Sequence, residues 1–167
     1  MNLNKNNKVI IMISGAFNPL HLGHLLLIKH ASSYGKVVVA LNSDEWVKKN
    51  KGYLLFNWES REMLLKDCRY VHDVIRFDDS DGTVCDALKK VKPTFFGNGG
   101  TASNTSIPKK ELDLCRELDI VNIFGLGESE DNIEEKYLIL TQDSILRYSM
   151  SELDKLERYK QIARQFE

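Results

Sequence analysis

Short apolar runs rich in β-branched residues alternate with helix-like segments, and most of these runs end in a polar or glycine-containing turn. No other feature constrains the fold as tightly. Val9-Ile10-Ile11-Met12-Ile13 is the first run. The turn Ser14-Gly15-Ala16-Phe17-Asn18-Pro19-Leu20 follows, and His21-Leu22-Gly23-His24 then opens an apolar helical pattern reaching about residue 33. Residues 37–41, 73–77, 93–96 and 120–124 read as four more strands. Helical patterns occupy residues 59–69, 84–91 and 108–118, with Pro108 in the first turn of the last. Ser43-Asp44 caps a short helix through Val47, and residues 48–57 read as a loop. Strands separated by helices predict a five-stranded parallel sheet with right-handed crossovers. In such a sheet the site lies beyond the C-terminal strand ends, where the strand order switches.

The first turn carries the chemistry. Two histidines three residues apart share one face of the helix they open. Free N–H groups and the positive dipole end at a helix start bind anions. His21 and His24 are therefore candidate phosphate ligands, beside the backbone of Gly15, Ala16, Phe17 and Asn18. Gly23 between them allows close approach to the backbone.

Composition excludes several other classes. With 167 residues, 43% of them hydrophobic, the chain suits one core. Lys+Arg total 23 against 24 Asp+Glu, a formal charge of -1, which argues against generic nucleic-acid or anionic-membrane binding. The apolar runs are too short to span a bilayer, and the polar first eight residues contain no signal-peptide core. Cys68, Cys85 and Cys115 are scattered, as expected of buried thiols in a cytoplasmic protein. Asp78, Asp79 and Asp81 read as a solvated turn, and no metal-ligand cluster is evident. Residues 1–130 are expected to form the α/β domain, and 131–167 a charged helical extension that packs on it or on a second subunit.

Residues 15–24, Gly-Ala-Phe-Asn-Pro-Leu-His-Leu-Gly-His, resemble the GxFDxxHxGH signature of the cytidylyltransferase-like nucleotidyltransferases. Leu41-Asn42-Ser43-Asp44-Glu45, Lys51-Gly52, Glu59-Ser60-Arg61, residues 69–75 and residues 92–100 follow the family's order. The heptose-1-phosphate adenylyltransferases and glycerol-3-phosphate cytidylyltransferases are the most similar subgroups. The resemblance implies a Rossmann-like domain that transfers a nucleotidyl group from a triphosphate to a small phosphorylated acceptor, releasing pyrophosphate. ATP is favoured over CTP, and Mg²⁺ is implied with the triphosphate. His21, His24, Lys51 and Arg61 take the catalytic positions. Gly15, Ala16, Phe17, Asn18, Gly23, Asn98, Gly99 and Ser129 take the nucleotide-binding ones, and Asn42 and Asp44 lie on the acceptor side. A homodimer or larger assembly is also expected of the family.

The chain departs from the pattern at three places. Asn18 replaces the usual Asp. Asn98 and Thr101 stand where heptose-type members carry the Lys and Asp of a KGGD turn, in a loop rich in hydroxyls. Gly127-Glu128-Ser129-Glu130-Asp131-Asn132-Ile133 replaces the second signature, so that only Ser129 remains, among three acids. The alternatives are a CTP-dependent glycerol-phosphate-type enzyme and a non-catalytic nucleotide-binding protein.

Overall fold

The computed structural model describes residues 9–100 and 106–127. Five parallel strands, β1 (Ile10–Gly15), β2 (Lys36–Leu41), β3 (Val71–Ile75), β4 (Phe95–Gly99) and β5 (Val121–Leu126), form one sheet in the order β3-β2-β1-β4-β5. Helices α1 (Leu22–Ala31), α2 (Asp44–Lys51), α3 (Trp58–Lys66), α4 (Cys85–Val91) and α5 (Lys109–Glu117) alternate with them. This is the Rossmann-like α/β architecture expected from the alternation of apolar runs.

Strand periodicity explains the layers. Ile11 and Ile13 of β1 join Val37, Val39 and Leu41 of β2 in a core with Ile28 and Ala31 of α1 and Trp58 and Leu65 of α3. Met12 and Ala40 point to the opposite face, where Ala87, Leu88, Leu114 and Cys115 of α4 and α5 cover them. A sheet buried on both faces needs continuous apolar strands, and Val37 to Leu41 are all buried. Each large aliphatic side chain buried there contributes about 1.5–3 kcal/mol.

The chain steps from β1 out to β3, then returns to place β4 on the other side of β1, so the strand order reverses between β1 and β4. β4 pairs with β1 through Ile11↔Phe95 and Ile13↔Gly97. Gly97 is required by space, because a Cβ there would come within 2.6 Å of Leu126 Cδ1.

Several boundaries differ from expectation, β3 for example running over Val71–Ile75, and two of the shifts fall beside the crevice. α2 continues to Lys51, well into the expected loop, because Gly52 at φ 78° caps it, its N–H bonding to Lys48 O. β4 runs through Gly99, so three of the four residues expected to form a turn are strand. Among the described residues, no helix is long and apolar enough to cross a membrane.

Candidate active site

β1 ends at Gly15 and α1 begins at Leu22, so the connecting turn lies at the reversal of strand order. Phe17 adopts φ 46°, a left-handed conformation uncommon for a side chain of its size. Its ring is buried and lies against His24, with centroids 4.7 Å apart. The same ring occupies the space beside Gly15, where a Cβ would approach it to 3.0 Å.

His21 is the extended N-cap of α1, at φ -143° and ψ 175°. Its ring stacks on that of His24, with centroids 3.7 Å apart and planes at 29°. The expected spacing thus brings both imidazoles to one place. The intervening Gly23 serves this stack, because a Cβ there would sit 3.0 Å from the His21 ring.

The backbone N–H of His21 donates to His24 Nδ1 at 3.3 Å, half of a capping box. An Nδ1 that accepts leaves the proton of a neutral imidazole on Nε2, which is then a donor. Burial, the neighbouring His21 and the charge of Lys51 together push the His24 pKa down to about 3. Burial also lowers that of His21. Both rings are therefore neutral at pH 7 in the free protein. Lys51, exposed at the end of α2, makes no ion pair among the described residues and lies near enough to act on His24.

Arg61 requires a correction. Expected to grip phosphate, it is 1% exposed and spends its donors on the protein. Nε donates to Phe56 O at 3.0 Å, Nη1 to Ala16 O at 2.7 Å, and Nη2 to Asn42 O at 3.0 Å and Asp44 Oδ1 at 2.6 Å. A buried guanidinium with these partners commits four of its five donors and ties three crevice loops together.

Asn42 and Asp44, expected at the acceptor, belong to the same knot. Asp44 is the counter-charge of Arg61, and Asn42 is buried, with Nδ2 donating to Asp79 Oδ2 at 3.1 Å. Asn18 departs from expectation in the same way. Its Oδ1 accepts from Leu55 and Phe56 N–H at 3.0 and 3.1 Å, and its Nδ2 donates to Tyr53 O at 3.4 Å. A carboxylate oxygen would accept the same two N–H groups, which accounts for Asn in place of the usual Asp.

At the end of β4, the Asn98 side chain turns to carbonyls, Nδ2 lying 3.3 Å from Phe96 O and 3.5 Å from Ile123 O. A Cβ on the adjacent Gly99 would meet Leu27 at 3.1 Å. Neither position has the lysine-like donor of a KGGD turn. Ser129 and the extension at 131–167 lie outside the described residues, as do Thr101, Ser103 and Thr105.

Sequence reasoning missed Asp79. Read as solvated with Asp78 and Asp81, it is 6% exposed and accepts from Ser43 N and Oγ at 2.8 and 2.7 Å. Three aspartates in four positions of a polar turn gave no sign of which one faces inward. A cavity of about 470 Å³ adjoins it, lined by Ser43, Trp46, Lys49 and Phe77 among others. Helical spacing puts Trp46 and Lys49 on the opposite side of α2 from Asp44 and Lys51, so this cavity lies apart from the histidine pair.

Trp58 packs in the core, with Nε1 bonded to Leu41 O at 3.1 Å. Among the described residues, no three His, Cys, Asp or Glu side chains gather as a metal cage.

A parallel sheet with a stacked histidine pair at its order switch is a Rossmann-like α/β domain with an HxGH turn. The cytidylyltransferase-like family model matches residues 12–163. The chain is 32% identical over 133 residues to the bifunctional protein HldE of Aliarcobacter butzleri, covering 78% of this chain and 27% of that protein. It is 32% identical over 115 residues to the FAD synthase of Pyrococcus abyssi, covering 68% of this chain and 71% of that protein. The crystal structure of the lipopolysaccharide core biosynthesis protein from Thermoplasma volcanium superposes with a TM-score of 0.61 at 25% identity, over 74% of this chain and 99% of the other. The chain belongs to the cytidylyltransferase-like nucleotidyltransferase family. It spans only about a quarter of the HldE proteins it matches.

Proposed function

We propose that the protein joins a nucleoside monophosphate from a triphosphate to a small phosphorylated acceptor, such as a sugar or polyol phosphate, and releases pyrophosphate. The observation that carries this reading is the stacked, neutral His21–His24 pair at the α1 N-terminus, with Lys51 beside it. ATP is favoured over CTP by the likeness to heptose-type adenylyltransferases. A FAD synthase among the relatives agrees, since FAD contains an adenylate.

In this reaction an acceptor phosphate oxygen attacks the α-phosphorus. The new P–O bond forms as the bond to the β-phosphate bridging oxygen breaks, and that oxygen leaves with the electron pair on pyrophosphate. The ionised acceptor needs no strong base, so positioning and charge stabilisation supply the catalysis. His24 Nε2–H donates to triphosphate oxygens from a partly dry site, where a fixed donor counts most. The α1 N-terminus and Lys51 add positive potential. Mg²⁺ arrives as part of the triphosphate substrate. Asn98, Gly99 and Ser129 are assigned to the nucleotide side. Residues 1–130 are taken as the catalytic domain, and 131–167 as an extension on it or on a partner subunit. The reading includes a cytoplasmic location and a homodimer or larger assembly, to be checked by fractionation and light scattering.

The test is to incubate the protein with Mg²⁺, each of the four nucleoside triphosphates and a panel of sugar, polyol and amino-alcohol phosphates, following pyrophosphate. One triphosphate–acceptor pair is expected to release it. Nucleotide binding without release from any pair would favour a non-catalytic nucleotide-binding protein.

A further inference from the structure

Arg61 spends its shortest bond to a main-chain carbonyl on Ala16 O, at 2.7 Å. In a trans peptide the C=O and the following N–H point in opposite directions. The only cis bond in the described chain is Asn18–Pro19, so the Ala16–Phe17 peptide is trans. Arg61 reaches this peptide from α3, which packs against β3, and the same guanidinium holds Asn42 O beyond the end of β2. The carbonyl is thus drawn towards the β2 side of β1. The Phe17 N–H is therefore turned away from Arg61 and from the carbonyl that Arg61 holds. It makes no hydrogen bond to any described residue.

Resting on the nucleotidyl-transfer reading, we propose that Arg61 is a positioning residue that aims the Phe17 N–H into the crevice as a donor to a phosphate oxygen of the nucleotide. Two features fix the peptide at its other end. Phe17 is held at φ 46° by its buried ring, and Asn18 is tied to the backbone of residues 53–56. A donor fixed before the substrate arrives costs no reorganisation when charge develops, which is where such groups act. Arg61 then influences the reaction from 1% exposure without touching substrate. A phosphate grip by the same residue would require its four protein bonds to break.

The test starts with the unaltered protein, so it does not depend on a variant folding. The amide resonance of Phe17 is followed by NMR on adding Mg²⁺ with the non-hydrolysable α,β-methylene analogue of ATP, and separately of CTP. The Phe17 amide proton is expected to move downfield and exchange more slowly. The His24 ring shifting while the Phe17 amide stays unmoved would overturn the proposal and leave nucleotide binding intact. No perturbation by either analogue would overturn the nucleotide reading, and this proposal with it.

A second measurement uses Arg61→Lys, which keeps the charge but cannot hold the carbonyls as a fork. Its rates with the Rp and Sp α-thio triphosphates are compared. The wild type is expected to favour one diastereomer, because a fixed N–H distinguishes the two non-bridging oxygens, and R61K is expected to lose that preference. A folded R61K with the wild-type preference would contradict the positioning role, whereas a structural defect alone lowers both rates together.

Discussion

The histidine pair and the Arg61 knot meet at the same turn, yet they do opposite work. His21 and His24 stack on a helix start with a lysine beside them, and the Nε2 of His24 is the donor that the proposed reaction uses. Arg61, Asn18, Asn42 and Asp44 spend their polar groups on one another, on Asp79 and on main chain. On the proposed reading, one set of residues meets the substrate and the other holds the turn in place. Residue type does not separate them, since arginine and asparagine are good phosphate ligands elsewhere. Burial and the number of donors already committed do.

The largest expected effect breaks the knot. Arg61→Ala leaves the Asp44 carboxylate and the carbonyls of Ala16, Asn42 and Phe56 without their donor. Unfolding in urea at pH 7 is expected to show a loss of about 3–5 kcal/mol, the usual result of removing one partner of a buried ion pair. His24→Ala should invert that pattern, with kcat falling about 10²–10³-fold at modest cost in stability, as for removal of one charge-stabilising donor. Stability lost with activity unchanged in H24A would merge the two regions into one scaffold.

The histidines also set a pH window. His24 binds its proton less well folded than unfolded, with a pKa of about 3 against an ordinary value near 6.5. Its contribution is fully present above pH 6.5 and is lost as pH falls towards 3, by at most about 1.4 kcal/mol per pH unit. Melting temperature is expected to fall across that range, and His24→Asn to flatten the fall. Bound triphosphate has the opposite sign, since its negative charge raises the histidine pKa values. Calorimetry in buffers of different ionisation enthalpy is expected to show proton uptake on nucleotide binding at pH 6.

Smaller effects belong to Asn18. Asn18→Ala strands the N–H groups of Leu55 and Phe56 and is expected to cost about 1–3 kcal/mol. Asn18→Asp keeps their acceptor and is expected to change stability by less than about 1 kcal/mol. Equal losses in N18A and N18D would show that this side chain acts through the amide bond to Tyr53 O instead.

Much of the fold was legible because its cause is local. Continuous β-branched runs such as Val37-Val38-Val39 belong in a sheet covered on both faces. Histidines at i and i+3 on a helix start share a face whatever else the chain does. Arg61, Asn42 and Asp79 were not legible. Apart from Phe56, their side-chain and main-chain partners lie 17 to 45 residues away, and no local pattern tells a buried guanidinium from an exposed one. Gly23 has a second use that no local pattern announces, because a Cβ there would lie 3.0 Å from the His21 ring.

The most direct measurement of the central claim is transfer of label from α-³²P triphosphate, in a single turnover with Mg²⁺ and the best acceptor of the panel. Wild-type protein is predicted to place the label on the acceptor with one pyrophosphate released per transfer, and His24→Ala, folded and still binding nucleotide, to do so at least about 10²-fold more slowly. Transfer by H24A at the wild-type rate would contradict the account, because the stacked histidines would then be no part of the chemistry.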